Sequence, residues 1–306
     1  MSPITALVLA LIMGSSVTAD VDGYLERSAE AEFMGEQLIS CDTPDGSRSS
    51  VFSLAQVEGA AVAWVAGAED TVVRMAPGSN VTVAHGEVEA ALIEGTLETD
   101  ASVYNVGSTD EVEYLGRDAR EVTLLREGEE RVVLTVDAAT DAIVRTVTLD
   151  GDGSRYCDRR LLSFTTDLSG VPSVDETIEG VPSQPVEVVP EDLPDEAAGF
   201  ELVDTYELEN GTLSYYSDGF FSAGVVLTSR PISFPEGVDV SQVEGERGRY
   251  RRSYQPGSVT LSWQSAGENV AVIGDLPPDL LDAFVAELPA PSTDGFFGRI
   301  WQRLFG

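Results

Sequence analysis

A single histidine, His85, and two cysteines, Cys41 and Cys157, limit the chemistry open to this chain. A Ser-His-Asp or Cys-His relay needs an imidazole beside its nucleophile, and His85 sits between Ala84 and Gly86 in a polar stretch that reads as surface or turn. One histidine cannot build a His-based metal site. No G-x-S-x-G, Walker loop or G-x-G-x-x-G after a strand occurs. With 53 aspartates and glutamates, paired carboxylates arise everywhere by chance, so no pair signals glycoside hydrolysis. Asp150-Gly151-Asp152-Gly153 lacks the third oxygen ligand and the later Glu of a calcium loop and reads as a hairpin turn. The residues thus assign no catalytic group, no metal and no cofactor, and the chain reads as a non-enzyme.

What remains is binding. Arg247, Arg249, Arg251 and Arg252 form the one basic cluster, with Tyr250 and Tyr254 interleaved. Such a cluster docks an acidic peptide or a lipid headgroup through charge-assisted hydrogen bonds, or else neutralises the chain's own carboxylates, and both readings stay open. All 18 basic residues are arginine, and the net charge of −35 repels phosphate backbones, which excludes nucleic acid as a partner. A second candidate is apolar. Val122 and Leu124, then Leu134 and Val136, then Phe164, alternate with polar neighbours and give a sheet with one apolar face. That face can curl around a helix, close into a sandwich or line a groove for an acyl chain.

These residues need elements to carry them. Ile4–Met13 is an apolar run of signal-peptide length, too short to span a bilayer comfortably, and Val17-Thr18-Ala19 resembles a cleavage site. Residues 1–19 are therefore expected to be a signal peptide, although they contain no Lys or Arg. Export makes a Cys41–Cys157 disulfide the expectation, pinning the start of the first domain to its last strand. Tyr24–Phe33 has helical periodicity. Short strand candidates follow at 37–41, 49–57, 61–66, 71–75, 81–84, 102–106, 112–115, 120–126, 131–136, 142–149 and 155–165. Residues 169–192 shift to an acidic, Pro-rich linker. A second domain is predicted over 193–290. It opens on Phe200–Thr228, a meander in which Asn210-Gly211 and Asp218-Gly219 are expected to form two-residue hairpin loops. An irregular loop over 229–252 and strands at 258–264 and 269–273 follow. The domain ends on a helix over Asp279–Leu288 with Leu280, Leu281, Phe284, Val285 and Leu288 as its apolar stripe. The tail Phe296–Phe305 is amphipathic and either docks on the body of the protein or touches a partner or membrane surface.

Several motifs carry a family resemblance: Gly35-x-Gln37, Tyr104-x-Val106, Leu134-Thr135-Val136-Asp137-x-x-Thr140, Gly199-Phe200, Tyr216-Ser217-Asp218-Gly219, Gly257-x-Val259-Thr260 and Ala271–Pro278. At these positions the chain resembles the MucB/RseB family of extracytoplasmic regulators of sigma factor E, in the form found in high-GC Gram-positive bacteria. The resemblance covers nearly all of residues 20–306, and its motifs are structural. It implies an α+β, mostly antiparallel fold: over 20–168 a half-open β-barrel wrapped on a helix, similar to the lipoprotein carriers LolA and LppX, and then a small antiparallel sheet domain with one helix. It implies an exported protein that binds the extracytoplasmic segment of a membrane anti-sigma factor and senses a lipid or lipoprotein. On that view Tyr216 and Asp218 join the four arginines as partner-docking residues, and Val122, Leu124, Leu134, Val136 and Phe164 line the lipid groove. A carrier of LolA or LppX type is the alternative.

Overall fold

The computed structural model describes residues 21–57, 60–65, 68–76, 79–82, 103–171, 190, 192–234, 238–245 and 247–292. The expected signal peptide, His85, nearly all of the Pro-rich linker and the amphipathic tail lie outside them. The first unit opens with helix α1 (Val21–Ala29) and continues through ten strands: β1 (Phe33–Thr43), β2 (Gly46–Val57), β3 (Ala60–Val65), β4 (Ala68–Ala76), β5 (Ser79–Thr82), β6 (Tyr104–Tyr114), β7 (Arg117–Arg126), β8 (Glu129–Asp137), β9 (Ile143–Leu149) and β10 (Arg155–Leu161). They form one sheet in the order β5-β4-β3-β2-β1-β10-β9-β8-β7-β6. Two meanders are thus joined where the first strand meets the last.

That junction carries the expected disulfide. Cys41 on β1 lies directly opposite Cys157 on β10, and the two are bonded at an S–S distance of 2.04 Å. Tight X-Gly turns close several hairpins. Glu127-Gly128, with positive φ at both residues, joins β7 to β8 in the left-handed geometry that matches strand twist.

The half-open barrel wrapped on a helix is corrected. Among the described residues the sheet is open, with β5 and β6 at its two ends, and does not close. The helix spans Val21–Ala29, not 24–33, because Phe33 already starts β1. Nine residues make a rod of about 14 Å. Ten strands extend about 43 Å across. A helix of that length cannot be the axle of such a sheet. It contributes Val21, Tyr24 and Leu25 to the core, and the Tyr24 hydroxyl lies 3.5 Å from Thr109 Oγ1.

The second sheet is not small either. It has eight strands: β11 (Glu196–Ala197), β12 (Phe200–Leu208), β13 (Gly211–Ser217), β14 (Ser222–Thr228), β15 (Ser241–Gly245), β16 (Gly248–Gln255), β17 (Ser258–Ser265) and β18 (Glu268–Gly274). Their order is β11-β12-β13-β14-β18-β17-β16-β15. Helix α2 (Pro278–Glu287) covers one face. Its expected stripe of Leu280, Leu281, Phe284 and Val285, with Leu288 just beyond, is buried, and the Phe284 ring meets Phe200 and Tyr216 edge-on.

The meander at 200–228 is present, but its turns differ from the expected ones. The β12–β13 loop is Glu209-Asn210, and Gly211 already pairs with Leu208. Gly211 is needed for close approach, since a Cβ there would fall 1.8 Å from the Leu227 carbonyl oxygen. Gly211→Ala is therefore expected to destabilise the chain by about 1–3 kcal/mol in urea denaturation, by forcing β13 and β14 apart. The second loop has four residues, Asp218 to Phe221, between paired Ser217 and Ser222.

Candidate functional site

The four-residue loop is where the two sheets meet. The short aspartate side chain folds back on its own turn, and Asp218 Oδ1 accepts the backbone N–H groups of Phe220 at 3.0 Å and Phe221 at 2.8 Å. Its other oxygen reaches the first sheet. Oδ2 accepts the Tyr104 hydroxyl of β6 at 2.8 Å and lies 3.2 Å from Arg126 Nη1 of β7. Arg126 is fixed from the other side, since Nη2 donates to the Ala198 carbonyl at 2.8 Å and the guanidinium lies over the Phe200 ring at 5.1 Å. Gly199 leaves room for it, because a Cβ there would sit 2.6 Å from Arg126 Nη2. Phe220 packs on both Tyr104 and Phe221. Burial pushes the Asp218 carboxyl up to about 6, against the pull of Arg126 and its hydrogen-bond donors. Burial raises the Tyr104 hydroxyl well above its ordinary value.

Further ties run across the same junction. Arg131 of β8 pairs with Asp279 of α2 at 2.7 Å. The Asp279 N–H donates to Asp150 Oδ1 at 3.1 Å, so a turn of the first sheet caps the helix of the second. The Asp150 carboxyl is raised by burial and by the carboxyl of Asp279. Burial pushes Asp279 up too, but the hydrogen bonds from Asp150 and Arg131 outweigh it and hold Asp279 low. Arg159 donates to the Gly257 carbonyl at 3.0 Å and lies 3.6 Å from Asp275, while the Gly257 N–H points at Cys41 Sγ, 3.3 Å away. Asp45 receives Arg252 at 2.7 Å in the opposite sense. The apolar core is continuous through the junction, with Val122, Leu124 and Leu134 in one cluster with Phe220, Phe221 and Phe284.

The Asp218 side chain is fully buried, and its oxygens are engaged by Tyr104, Arg126 and the N–H groups of Phe220 and Phe221. Among the described residues, no group of three or more His, Cys, Asp or Glu is placed to hold a metal ion. Asp150-Gly151-Asp152-Gly153 is a turn, as expected, with the Gly153 N–H bonded to the Asp150 carbonyl and the Ser154 N–H to Asp152.

The residues named from sequence fall into three places. Tyr216 and Asp218 are buried in the junction and the second core, with the Tyr216 hydroxyl donating to the Pro194 carbonyl. Val122, Leu124, Leu134 and Val136 share one fully buried cluster with Val21, Tyr24 and Leu25 of α1. Phe164 is in another cluster, stacked on Phe33 with Arg117 above its ring.

The arginines divide by side of the sheet. Arg247 donates to the carbonyls of Val285, Ala286 and Leu288 and so caps the end of α2. Arg247→Met is expected to lower stability by about 0.5–2 kcal/mol, read as a shift in thermal midpoint. Arg252 faces the junction. Arg249 and Arg251 face away from it and line a groove of about 740 Å³. Its floor is Gln242, Ser262, Gln264 and Asn269, and its walls include Pro231-Ile232 and Pro291-Ser292. The groove crosses β15 to β18, and its arginines lie on β16, inside a stretch expected to be loop, because four arginines in six residues masked a strand. Its signal was the alternation that puts Tyr250 and Tyr254 inside and Arg249 and Arg251 outside.

Tyr104 and Arg126 were not singled out from sequence as site residues, since nothing local marks their approach to Asp218. No described helix is long and apolar enough to cross a membrane.

No protein-family model matches the sequence, and no curated protein matches it. Solved structures do. The crystal structure of MucB in complex with MucA(peri) is matched with a TM-score of 0.54 and 19% identity over 88% of this chain and 96% of that one. The Pseudomonas aeruginosa MucA/MucB complex gives 0.53 and 18% over 88% and 98%. MucB alone gives 0.50 and 15% over 87% and 94%. Across nearly its whole length, and through both sheets, the chain has a fold similar to that of MucB.

Proposed function

We propose that this protein is an exported, non-enzymatic regulator that binds the extracytoplasmic segment of an anti-sigma factor and shields it. The observation that carries this reading is the likeness to MucB, which spans both sheets and includes structures with MucA bound. The absence of any triad or nucleotide loop in the sequence is in keeping with a binding role. The division into a signal peptide at 1–19, a first domain at 20–168, a linker at 169–192, a second domain at 193–290 and a tail at 291–306 belongs to the same proposal. On it, the buried junction fixes the two sheets as one body, and the partner lies along their outer surface.

A lipid or lipoprotein in the first domain is the finer part of the proposal. Val122, Leu124, Leu134 and Val136 are buried in one cluster with side chains of α1 and of the second sheet, so an acyl chain reaching them would have to displace part of that packing. The carrier reading is therefore kept as the alternative. The test is isothermal titration of the full chain with the extracytoplasmic segment of a single-pass anti-sigma factor from the same genome. Saturable binding in the micromolar range or tighter is expected, and no heat at that concentration overturns the reading.

A further inference from the structure

We propose that the groove on the outer face of the second sheet takes an extended acidic peptide, with Arg251 receiving a side-chain carboxylate. This rests on the partner-binding reading and adds to it a site and a ligand class. The first ground is charge. The chain holds 53 acids to 18 bases, and arginine after arginine has found a carboxylate: Arg117 with Asp137, Arg126 with Asp218, Arg145 with Asp158, Arg252 with Asp45. Arg251 has none among the described residues. Its Nη1 donates to the Ile232 carbonyl at 3.1 Å, and its guanidinium lies over the Phe234 ring at 4.7 Å. A guanidinium carries five N–H donors in one plane. Among the described residues, stacking and one backbone bond hold that plane and leave donors to spare, the geometry that receives a carboxylate two-pronged.

The second ground is what surrounds it. Arg249 lines the same groove, and its partner Glu244 is exposed, as is Arg249 itself. An exposed pair of this kind contributes little, so a ligand carboxylate can replace Glu244 at small cost. The floor is made of amide and hydroxyl side chains, Gln242, Ser262, Gln264 and Asn269, which suit the N–H and C=O groups of a peptide. The net charge of −35 sharpens the specificity, because general attraction cannot draw an acidic peptide to this protein, and such binding has to come from a local site.

The test uses the full chain and a fluorescein-labelled octapeptide of Glu and Gly, against the same peptide with Gln for Glu, read by fluorescence anisotropy. The acidic peptide is expected to bind saturably and roughly tenfold or more tighter than the Gln peptide. Arg251→Gln should weaken it by about tenfold, as for loss of one charge-assisted pair, while Arg251→Lys keeps part of the binding. The thermal midpoint of both variants should stay at the wild-type value. No saturable binding, equal affinity for the Gln peptide, or an unchanged affinity in Arg251→Gln overturns the proposal. So does binding seen only after removal of residues 293–306, which would give the groove to the segment that follows Ser292 in sequence. If the anti-sigma segment binds and Arg251→Gln leaves that affinity unchanged, the groove fails and the regulator reading stands. If the acidic peptide binds and the segment does not, the groove stands alone.

Discussion

Arg126→Met is expected to destabilise the folded chain by about 3–5 kcal/mol at neutral pH, and by clearly less in mild acid. The substitution keeps the apolar stem over Phe200 and removes the charge. It leaves the Asp218 carboxylate buried with only neutral donors, Tyr104 and the N–H groups of Phe220 and Phe221. An unpaired buried carboxylate relieves its cost by taking up a proton, so the penalty shrinks as pH falls. Asp218→Ala makes the opposite defect. It strands Arg126, which cannot lose its proton, and its cost should persist across the same pH range.

The wild-type protein carries the same signature in weaker form. Asp218 has its carboxyl raised to about 6 in the folded state, so between that value and the ordinary carboxylate range the folded chain binds more protons than the unfolded one. Its contribution is fully present below about pH 4 and is lost as pH rises through the folded value, at most about 3 kcal/mol over the interval. Asp137 works in the opposite direction. Burial alone would raise it, but Arg117 and Thr140 hold it low, so its contribution is present above about pH 4 and is lost in stronger acid. A stability maximum in mild acid follows. Urea midpoints measured from about pH 7.5 to 3 for the wild type and both variants check all three statements. A flat wild-type profile with parallel variants would remove Asp218 as the titrating group.

How far the sequence could be read depended on the range of the interaction. Hairpins from Arg117 to Leu161 and the α2 stripe were legible because alternation and periodicity are local. β6 was split in two because Ser108 to Glu111 is polar on both faces, which an end strand tolerates and a pattern search does not. Asp218 was legible as a turn residue, and it is one. Its other half, the bond to Tyr104 across 114 positions, leaves no trace in local pattern. The same holds for Arg131 with Asp279 and Arg159 with Asp275: arginines from one sheet and aspartates from the other, each ordinary in its own stretch. The mistaken picture of a helix as the axle of the first domain came from family likeness, not from the residues, whose periodicity gave only a short helix.

The disulfide joins the two kinds of information, since the pairing of the domain's start with its last strand was expected from sequence and the register that sets Cys41 directly opposite Cys157 was not. Cys41→Ser with Cys157→Ser is expected to lower stability by about 4–5 kcal/mol, the chain-entropy value for a closed loop of this size. The sequence separation is 116, so the bond ties together both meanders of the first sheet. Without it, β1 and β10 are held by backbone pairing, the exposed Arg155–Asp42 ion pair and the packing around Phe33 and Leu161, at the one place where the ten-stranded sheet depends on strands from its beginning and its end. The loss should also be felt in the second sheet. The Gly257 N–H rests on Cys41 Sγ and the Gly257 carbonyl on Arg159, so loosening this seam weakens one of the ties between sheets. Hydrogen exchange in the double variant should therefore rise along β1 and β10 and at the turn around Gly257, with the groove at Arg251 protected as before. Full retention of the wild-type urea midpoint would mean that the seam closes without the disulfide. Increased exchange along β1 and β10 that stops short of Gly257 would mean that the disulfide serves the first sheet alone.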